Sequence, residues 1–358
     1  MYALYFFSRV FFLPKQSKES DQDKRPVSII ICAKNEARNL ENNLPSVLSQ
    51  LYHDEQGKPL FEVIVVNDAS NDDTEQVLHK LEQQHHHLWN VTITPDMPRI
   101  YKGKKFALHH GVKHASHSLL LLTDADCIPA SSNWLGLMTE PLRKGKDIVA
   151  GYSGYQPRKG LLNAFIRWET MHTFLQYACY TVAEKPYMAV GRNLACKKEI
   201  FLKAQQSEIW NAIQSGDDDL LIRTCAGRNN MTVVSDKDAL TFSEAKSNWN
   251  EWLHQKQRHV STGKFYTPEI KFLLGVYACT HALAWLLFFV LVTTPFVWEA
   301  FYLMTIRLIV YWLIWTFTTI KLKENKLLPW IPLCDLGWAV YNFVLSPYII
   351  WQNKKQWK

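Results

Sequence analysis

The sequence predicts an α/β protein with a mostly parallel sheet covered by helices on both faces, followed by a helical membrane region. Short apolar runs rich in β-branched residues alternate with helical patterns over residues 27–142, which is typical of βαβ units. A later stretch, residues 272–298, contains no Asp, Glu, Lys or Arg and is long enough to cross a lipid bilayer. With 47% hydrophobic and 20% charged residues, the 358-residue chain is not a disordered protein.

Four strands, each followed by a helix, are predicted in the N-terminal half. Parallel strands are buried on both faces, so they are expected as continuous apolar runs. A short helix over 216–226, a strand over 231–234 and a helix over 247–261 are predicted further along. The four strand and helix pairs are 27–32 with 37–51, 61–66 with 72–81, 91–93 with 103–114, and 118–122 with 133–142.

Three parts of the chain are predicted. Residues 1–25 form an apolar anchor and a linker, because the first 13 residues reach only about 20 Å as a helix and are too short to span a bilayer. Residues 26–271 form the α/β domain. Residues 272–358 contain two membrane spans and a third stretch, 327–351, that either crosses or is re-entrant because prolines interrupt it.

Charge and cysteine content narrow the function only slightly. The formal net charge of +7 suits anionic lipid headgroups or a phosphorylated substrate as readily as nucleic acid. The seven cysteines are scattered and include no Cys-x-x-Cys, which supports neither a disulfide framework nor a zinc module. A reducing, cytosolic setting is therefore expected.

Acidic residues follow the predicted strands, at the sheet edge where such proteins place their chemistry. Asp124 and Asp126, two residues apart, offer hard oxygen ligands for a Mg²⁺ or Mn²⁺ ion that also holds a diphosphate. A solvated turn is the competing interpretation, because an isolated Asp-x-Asp is frequent by chance.

Two further residues have two interpretations each. The carboxylate of Asp68 can accept hydrogen bonds from a base or ribose, or it can belong to the N-cap of the next helix. Lys104 can pair with a phosphate, or it can be part of an ordinary basic surface with Lys102 and Lys105.

The run Asp217, Asp218 and Asp219 is costly through like-charge repulsion unless a cation or a function requires it. Nearby acids raise the pKa of one of them toward a value useful for a general base. Favourable acids in a first helical turn are the alternative explanation.

Together, these residues resemble the family 2 glycosyltransferases, which are inverting, metal-dependent enzymes of the GT-A type. The resemblance is strongest to the membrane-bound branch that includes cellulose, hyaluronan and poly-N-acetylglucosamine synthases and ceramide glucosyltransferase. It covers about residues 27–266 and the hydrophobic tail. The matching elements occur in the family's order and are 27–36 (VSIIICAKNE), 63–72 (VIVVNDASND), 103–108 (GKKFAL), 124–126 (DAD), 191–193 (GRN) and 216–218 (GDD).

The resemblance implies a role for each matching residue. Asp218 is the expected base, with Asp217 beside it, and Asp126 and Asp124 are the expected ligands of Mg²⁺ or Mn²⁺. The acceptor is expected at Gly191, Arg192 and Asn193. The residues expected to bind the nucleotide sugar are Glu36, Asp68, Lys104, Asp124, Gln255, Arg258 and His259.

One element departs from the family pattern. Processive members carry Gln-x-x-Arg-Trp, whereas this chain has Gln255 and Arg258 followed by His259 in the Trp position. Arg258 can still pair with a diphosphate. Transfer of a single sugar is therefore expected rather than polymer synthesis.

The resemblance also implies the partners and the location. A UDP or GDP sugar is the expected donor, a lipid or lipid-linked glycan hydroxyl is the expected acceptor of a hexosyl or N-acetylhexosaminyl group, and no nucleic acid is involved. An integral protein of the bacterial inner membrane is expected, with the catalytic domain in the cytosol, where activated sugars are made. A processive polysaccharide synthase, a polyprenyl-phosphate sugar transferase and an inactive membrane scaffold are the alternatives.

Arg307 and Asp335 are the only formal charges within the three apolar stretches 272–298, 300–320 and 327–351. Charges inside a membrane are functional candidates by default, and these two can pair with each other. Alternatively, Arg307 extends to the membrane interface.

Overall fold

The computed structural model describes residues 5–14 and 24–345 and groups them into two compact units. The α/β unit consists of two segments, Pro14–Gln156 and Pro186–Glu244. The helical unit consists of the described residues up to Leu13, the segment Pro157–Lys185 and the chain from Ala245 onward. The compact units and the predicted parts 1–25, 26–271 and 272–358 divide the chain differently, and the predicted boundaries remain a prediction.

Among the described residues, ten strands make up the two sheets of the α/β unit. They are β1 (Val27–Ala33), β2 (Phe61–Asp68), β3 (Leu88–Ile93), β4 (Leu119–Asp124), β5 (Ile128–Pro129), β6 (Ile148–Gly151), β7 (Ser153–Tyr155), β8 (Leu194–Lys197), β9 (Met231–Val234) and β10 (Thr241–Ser243).

The large sheet has seven strands in the order β3-β2-β1-β4-β8-β6-β9. The first four in this order are parallel, and β8 runs antiparallel to both of its neighbours, β4 and β6. A small sheet has the order β5-β10-β7. The strand order reverses between β1 and β4, and in open α/β sheets this switch point is where ligands bind.

Helices follow the parallel strands because the intervening segments are amphipathic and bury their apolar sides on the sheet. All eight residues of β2 and six of the seven residues of β1 are buried, as expected for central strands. The predicted strand and helix pairs are confirmed, with ends shifted by a few residues. The helices of this unit are α1 (Ala37–Leu48), α2 (Thr74–Glu82), α3 (Lys104–His114), α4 (Trp134–Arg143), α6 (Lys198–Gln205) and α7 (Asp217–Cys225).

The described part of the helical unit contains two helices that are long and apolar enough to cross a membrane, α9 and α10. Only 17% and 22% of their most apolar stretches are buried, so most of these side chains face outward. The third apolar stretch starts with a 3₁₀ helix, Asn325–Trp330, and α11, and the part of it beyond residue 345 lies outside the described residues. The helices of this unit are α5 (Leu161–Val182), α8 (Trp249–Val260), α9 (Pro268–Leu291), α10 (Val297–Lys321) and α11 (Ile331–Val340).

Arg307 and Asp335 form an ion pair within this unit, with 2.9 Å between Nη1 and Oδ2. Trp285 Nε1 donates to the same carboxylate oxygen at 2.9 Å, and His281 lies 3.2 Å from Arg307 Nη2. Of the two interpretations of Arg307, the structure therefore supports pairing with Asp335.

Candidate active site

The carboxyl ends of three strands bring the predicted site residues to one edge of the large sheet. In the register of the sheet, Cys32 on β1 lies beside Asp124 on β4, and Ala33 lies beside Asn67 on β2. Asp68 is the next residue of β2. Residues that are far apart in the sequence therefore meet where β1 and β4 diverge.

Two loops at this edge contain strained backbone. Asn35 has a φ of 57° and Ala69 a φ of 52°, in the left-handed region that residues with a side chain seldom adopt. The loops hold each other, because Asn35 N–H donates to Ser70 Oγ and Asn71 N–H donates to Asn35 Oδ1, both at 2.9 Å. Strain that is maintained in this way is common at functional sites.

Asp68 is fully buried and is held by Arg99, a residue that sequence analysis did not single out. Arg99 Nη2 lies 2.5 Å from Asp68 Oδ1, and Nη1 lies 3.3 Å from Oδ2. Helix α2 begins six residues later, and at its start Asp72, rather than Asp68, accepts a hydrogen bond from the N–H of Thr74 at 3.1 Å. Asp72 therefore takes the capping role that was the alternative for Asp68.

Lys104 pairs with Asp124 across the sheet edge. Although burial alone would lower it, the charges of Asp124 and Asp217 raise the pKa of Lys104 well above its usual value. Lys104 is therefore a charged member of the acidic cluster rather than part of a solvated basic surface. Gly103 precedes it with a φ of 61°, and a side chain at that position would lie 2.9 Å from Gln214.

Asp126 is half-buried beside Asp124. Burial, and then the charge of Asp124, raise the pKa of Asp126, while the nearby Arg192 opposes the shift. The two carboxylates repel each other when both are charged, and a cation between them would relieve this repulsion. Carboxylate oxygens are also the ligands that Mg²⁺ and Mn²⁺ prefer. In the described part of the chain, no group of three or more His, Cys, Asp or Glu residues that could hold a metal ion is found.

Asp217 and Asp218 open α7, which starts after Gly216 in the left-handed conformation. Asp218 Oδ2 accepts from the N–H of Gly191 at 2.8 Å, and Oδ1 accepts from the N–H of Asp219 at 2.9 Å. Burial, and then the charge of Asp217, raise the pKa of Asp218 to about 6. A carboxylate with this pKa is suited to take a proton near neutral pH.

The segment Gly191–Asn193 forms a 3₁₀ turn beside these acids. Arg192 Nη1 donates to Ser243 Oγ at 2.7 Å, and its guanidinium lies 4.5 Å from the centre of the Tyr155 ring.

Asn193 is fully buried, and its amide fixes the core next to this turn. Its Nδ2 donates to the carbonyls of Tyr152 and Ala239 at 2.9 Å, and its Oδ1 accepts from Trp134 Nε1 at 3.0 Å. The contact of Gly191, Arg192 and Asn193 with an acceptor remains a prediction.

Glu36 and Cys32 border the same edge. Burial raises the pKa of Glu36, as do the charges of Asp126 and Asp124. Burial likewise raises the pKa of Cys32 to about 12, and this thiol interacts electrostatically with Lys104, Asp217, Asp124 and Asp68, in decreasing order. The residues at the ends of β1, β2 and β4 and at the start of α7 therefore share one electrostatic environment.

A family model, described as glycosyl transferase family 2, matches residues 28–219. The chain belongs to this family. The match includes the sheet edge and the acids at the start of α7. It therefore contains every predicted site residue of the α/β unit.

Relatives of this family 2 glycosyltransferase support the assignment. The chain is 25% identical over 266 residues to the probable glycosyltransferase YdaM of Bacillus subtilis, which covers 72% of this chain and 59% of YdaM. It is 29% identical over 111 residues to the poly-beta-1,6-N-acetyl-D-glucosamine synthase of Staphylococcus epidermidis, covering 31% of this chain and 24% of the synthase. The chain thus spans less than two thirds of each relative's length.

The fold is also similar to that of a solved structure, the mannosyltransferase PcManGT from Pyrobaculum calidifontis in complex with GDP-Man and Mn²⁺. The TM-score is 0.59 at 19% identity, and the match covers 96% of this chain and 95% of the other. The predicted fold class, a GT-A domain followed by a helical region, is confirmed.

Lys105 is a further residue that sequence analysis missed in this family 2 glycosyltransferase. It is fully buried, and its Nζ donates to the carbonyls of Trp210 and Ile213 at 2.7 and 2.9 Å. These bonds fix the loop that leads into α7 and so into Asp217 and Asp218. No signal in the sequence distinguishes Lys105 from the other lysines of the same basic run.

The remaining predicted donor-binding residues lie on α8, in the helical unit. They are Gln255, Arg258 and His259. Their part in binding the nucleotide sugar remains a prediction.

Proposed function

We propose that this family 2 glycosyltransferase moves a hexosyl or N-acetylhexosaminyl group, with inversion, from a nucleotide-diphosphate sugar to a hydroxyl of a lipid or lipid-linked glycan. The transfer takes place at the cytosolic face of a bacterial inner membrane. The observation that carries the proposal is Asp218, whose pKa is raised to about 6 by burial and by Asp217, at the edge of the sheet where Asp124, Lys104 and Asp68 meet.

Asp218 is the base in this reaction. Its carboxylate takes the proton of the acceptor hydroxyl as the hydroxyl oxygen bonds to the anomeric carbon and the bond to the diphosphate breaks. Attack from the face opposite to the diphosphate inverts the anomeric configuration. The N–H groups of Gly191 and Asp219 hold the carboxylate in place.

Asp124 and Asp126 would hold a divalent cation, and Lys104 would then exchange its partner Asp124 for a donor phosphate. Such an ion neutralises the charge that develops on the leaving diphosphate. Support comes from the chemistry of the two carboxylates and from the similar mannosyltransferase, which was solved with Mn²⁺. Mg²⁺ and Mn²⁺ are both suitable for these ligands.

Asp68 would bind the base or ribose of the donor, and Arg99 would set its orientation. The similar mannosyltransferase binds GDP-Man, and the relatives include synthases of an N-acetylglucosamine polymer. GDP and UDP sugars are therefore the two donor classes to test. Glu36, Gln255, Arg258 and His259 complete the proposed donor contacts.

The membrane placement is supported by α9 and α10, whose apolar side chains are largely exposed. This placement supports a lipid or lipid-linked acceptor, because such an acceptor would lie in the same membrane as the enzyme. Polymer synthesis is a second candidate, since the relatives include polysaccharide synthases. His259 in the position of the family's Trp favours transfer of a single sugar.

The experiment uses the full chain in lipid nanodiscs with Mg²⁺ or Mn²⁺, a panel of UDP and GDP sugars and a lipid extract as acceptor source. Nucleotide release and the mass of the lipid product are measured. We expect Asp218→Asn to reduce turnover by about 10²–10⁴ while donor binding is retained, because only proton removal is lost. A product extended by one sugar identifies single transfer, and a ladder identifies a polymer.

Glu199→Gln is the matched control, since Glu199 is an exposed acid in the first turn of the neighbouring helix α6. It should keep wild-type turnover. The proposed role of Asp218 is rejected if Asp218→Asn keeps about half of the wild-type rate. Release of nucleotide from no donor in the panel would favour the inactive scaffold.

A further inference from the structure

A cavity of about 340 Å³ lies within the helical unit, where the start of α5 meets the 3₁₀ helix Asn325–Trp330. Four of its nine lining residues are cations. The side chains of Leu327 and Trp330 contribute an apolar part, and Trp330 is 39% exposed. The cationic lining residues are Arg158, Lys159, Arg167 and Lys326.

Arg167 is the buried cation of this cavity. It is 4% exposed, and one of its terminal nitrogens pairs with Glu324. Its Nε is buried and has no hydrogen-bond partner among the described residues. A buried N–H group without a hydrogen-bond partner costs free energy. A ligand with acceptor oxygens would provide that partner.

Two exposed lysines, Lys159 and Lys326, add to the charge of Arg167, which pairs with Glu324. Within residues 5–14 and 24–345, neither Lys159 nor Lys326 has a hydrogen bond or ion pair to another residue, and both are exposed. The site therefore attracts anions.

The start of α5 adds to this attraction. Its N-cap residue is Gly160, which provides no side-chain cap, and its first turn contains no acid. The first N–H groups of a helix of this length carry a partial positive charge. Backbone donors and cationic side chains thus border the same cavity.

We propose that this cavity binds a phosphate ester, either in the headgroup of an anionic lipid or in a soluble compound. The cations and the α5 N-terminus would bind the phosphate oxygens, and Leu327 and Trp330 would contact the start of an acyl chain. Basic pockets beside membrane helices are suited to lipid headgroups, and α10 ends at Lys321, four residues before this 3₁₀ helix. The binding site rests on the proposed membrane placement but not on the sugar transfer.

The test is a native mass spectrometry titration of the full chain in detergent with phosphatidylglycerol, which yields the Kd of the first bound lipid. We expect Lys159→Gln with Lys326→Gln to raise this Kd about tenfold, because two cations near the phosphate are lost. Lys159→Arg with Lys326→Arg should keep the wild-type Kd. None of these measurements depends on glycosyl transfer, so a failure of the proposed sugar transfer does not affect them.

Lys264→Gln with Lys271→Gln is the matched control, because it removes two exposed lysines of the same unit that do not line the cavity. It should leave the Kd unchanged. A wild-type Kd in the Lys159 and Lys326 variant, or an equal loss in the control, overturns the proposal. A second arm adds inorganic phosphate, with sodium chloride at the same ionic strength as reference. Displacement of the lipid by phosphate alone identifies a site open to soluble phosphates, and no displacement identifies a lipid headgroup site.

Discussion

Two ion pairs, one in each unit of this protein, differ in how far their side chains are exposed to solvent. In the α/β unit, the paired side chains of Lys104 and Asp124 are 22% and 32% exposed. In the helical unit, Arg167 and Glu324 are only 5% and 1% exposed. We call the first pair open, because it is partly exposed to solvent, and the second pair closed, because it is buried.

This difference determines what each pair can do. A partly exposed pair loses little when it changes partners, because water and an incoming ion can replace the lost contact. A buried pair cannot change partners without leaving a charge in an apolar environment. The open charges therefore suit a site that binds and releases a charged ligand, and the closed pairs suit a fixed framework.

The largest expected effect tests the closed pairs. Asp335→Leu leaves Arg307 and Trp285 Nε1 without their carboxylate, so we expect a loss of about 3–5 kcal/mol in the free energy of unfolding. Unfolding by sodium dodecyl sulfate in bicelles measures it. Combining Asp335→Leu with Arg307→Met should restore part of the loss, because no unpaired charge remains.

The charge exchange, Arg307→Asp with Asp335→Arg, should rescue each single variant only in part. Trp285 donates to the carboxylate from a fixed position, and that donor would then face a guanidinium. If the losses in the free energy of unfolding from Arg307→Met and Asp335→Leu simply add, the two residues are not coupled. The ion pair between them would then not stabilise the helical unit.

The next effect tests the open site. Asp126→Asn removes one of the two proposed cation ligands, so we expect turnover to fall by about 10²–10³, or about 2.7–4 kcal/mol in transition-state stabilisation. The Mn²⁺ concentration needed for half-maximal rate should rise. Asp238→Asn is the control, because Asp238 is an exposed acid. Equal activity of the two variants would show that Asp126 is not a ligand of the proposed cation.

The sequence predicted the parts of this site that depend on regular patterns. The continuous apolar runs of β1, β2 and β4 predicted the parallel strands, and their ends predicted that Asp68 and Asp124 lie at one edge. The antiparallel strand β8 was not predicted, because Leu194–Lys197 lies directly between the 3₁₀ turn Gly191–Asn193 and helix α6, with no loop to mark its ends. Short strands like this depend on their neighbours for their conformation.

Contacts that depend on tertiary packing could not be predicted from the sequence. Arg99 lies in a loop without periodicity, and only the structure shows that it binds the buried Asp68. A lysine in a basic run is expected on the surface, whereas Lys105 is fully buried. The carbonyl groups of Trp210 and Ile213 that hold it are more than 100 residues away in the chain.

Lys105→Met is expected to have a smaller effect on stability, because Lys105 holds the loop that precedes α7. It leaves two carbonyls of the preceding loop without their donor, so we expect a loss of about 1–3 kcal/mol in the free energy of unfolding. Donor turnover should also fall, because Asp217 and Asp218 follow that loop. Lys113→Met, on the exposed side of the same helix, should change neither quantity.

The smallest effect is the pH dependence of the open site. Asp218 has to be deprotonated to accept a proton, and burial and Asp217 raise its pKa to about 6. Turnover should therefore fall about tenfold for each pH unit below 6, or about 1.4 kcal/mol per unit, and should level off above it.

A raised carboxyl pKa disfavours the folded state above pH 6, so Asp218→Asn should unfold at the same or a higher temperature than the wild type at pH 7. A rate that stays constant between pH 7 and pH 5 contradicts a base with this pKa. A lower unfolding temperature of Asp218→Asn would show that the hydrogen bonds from Gly191 and Asp219 to the carboxylate outweigh the cost of its burial.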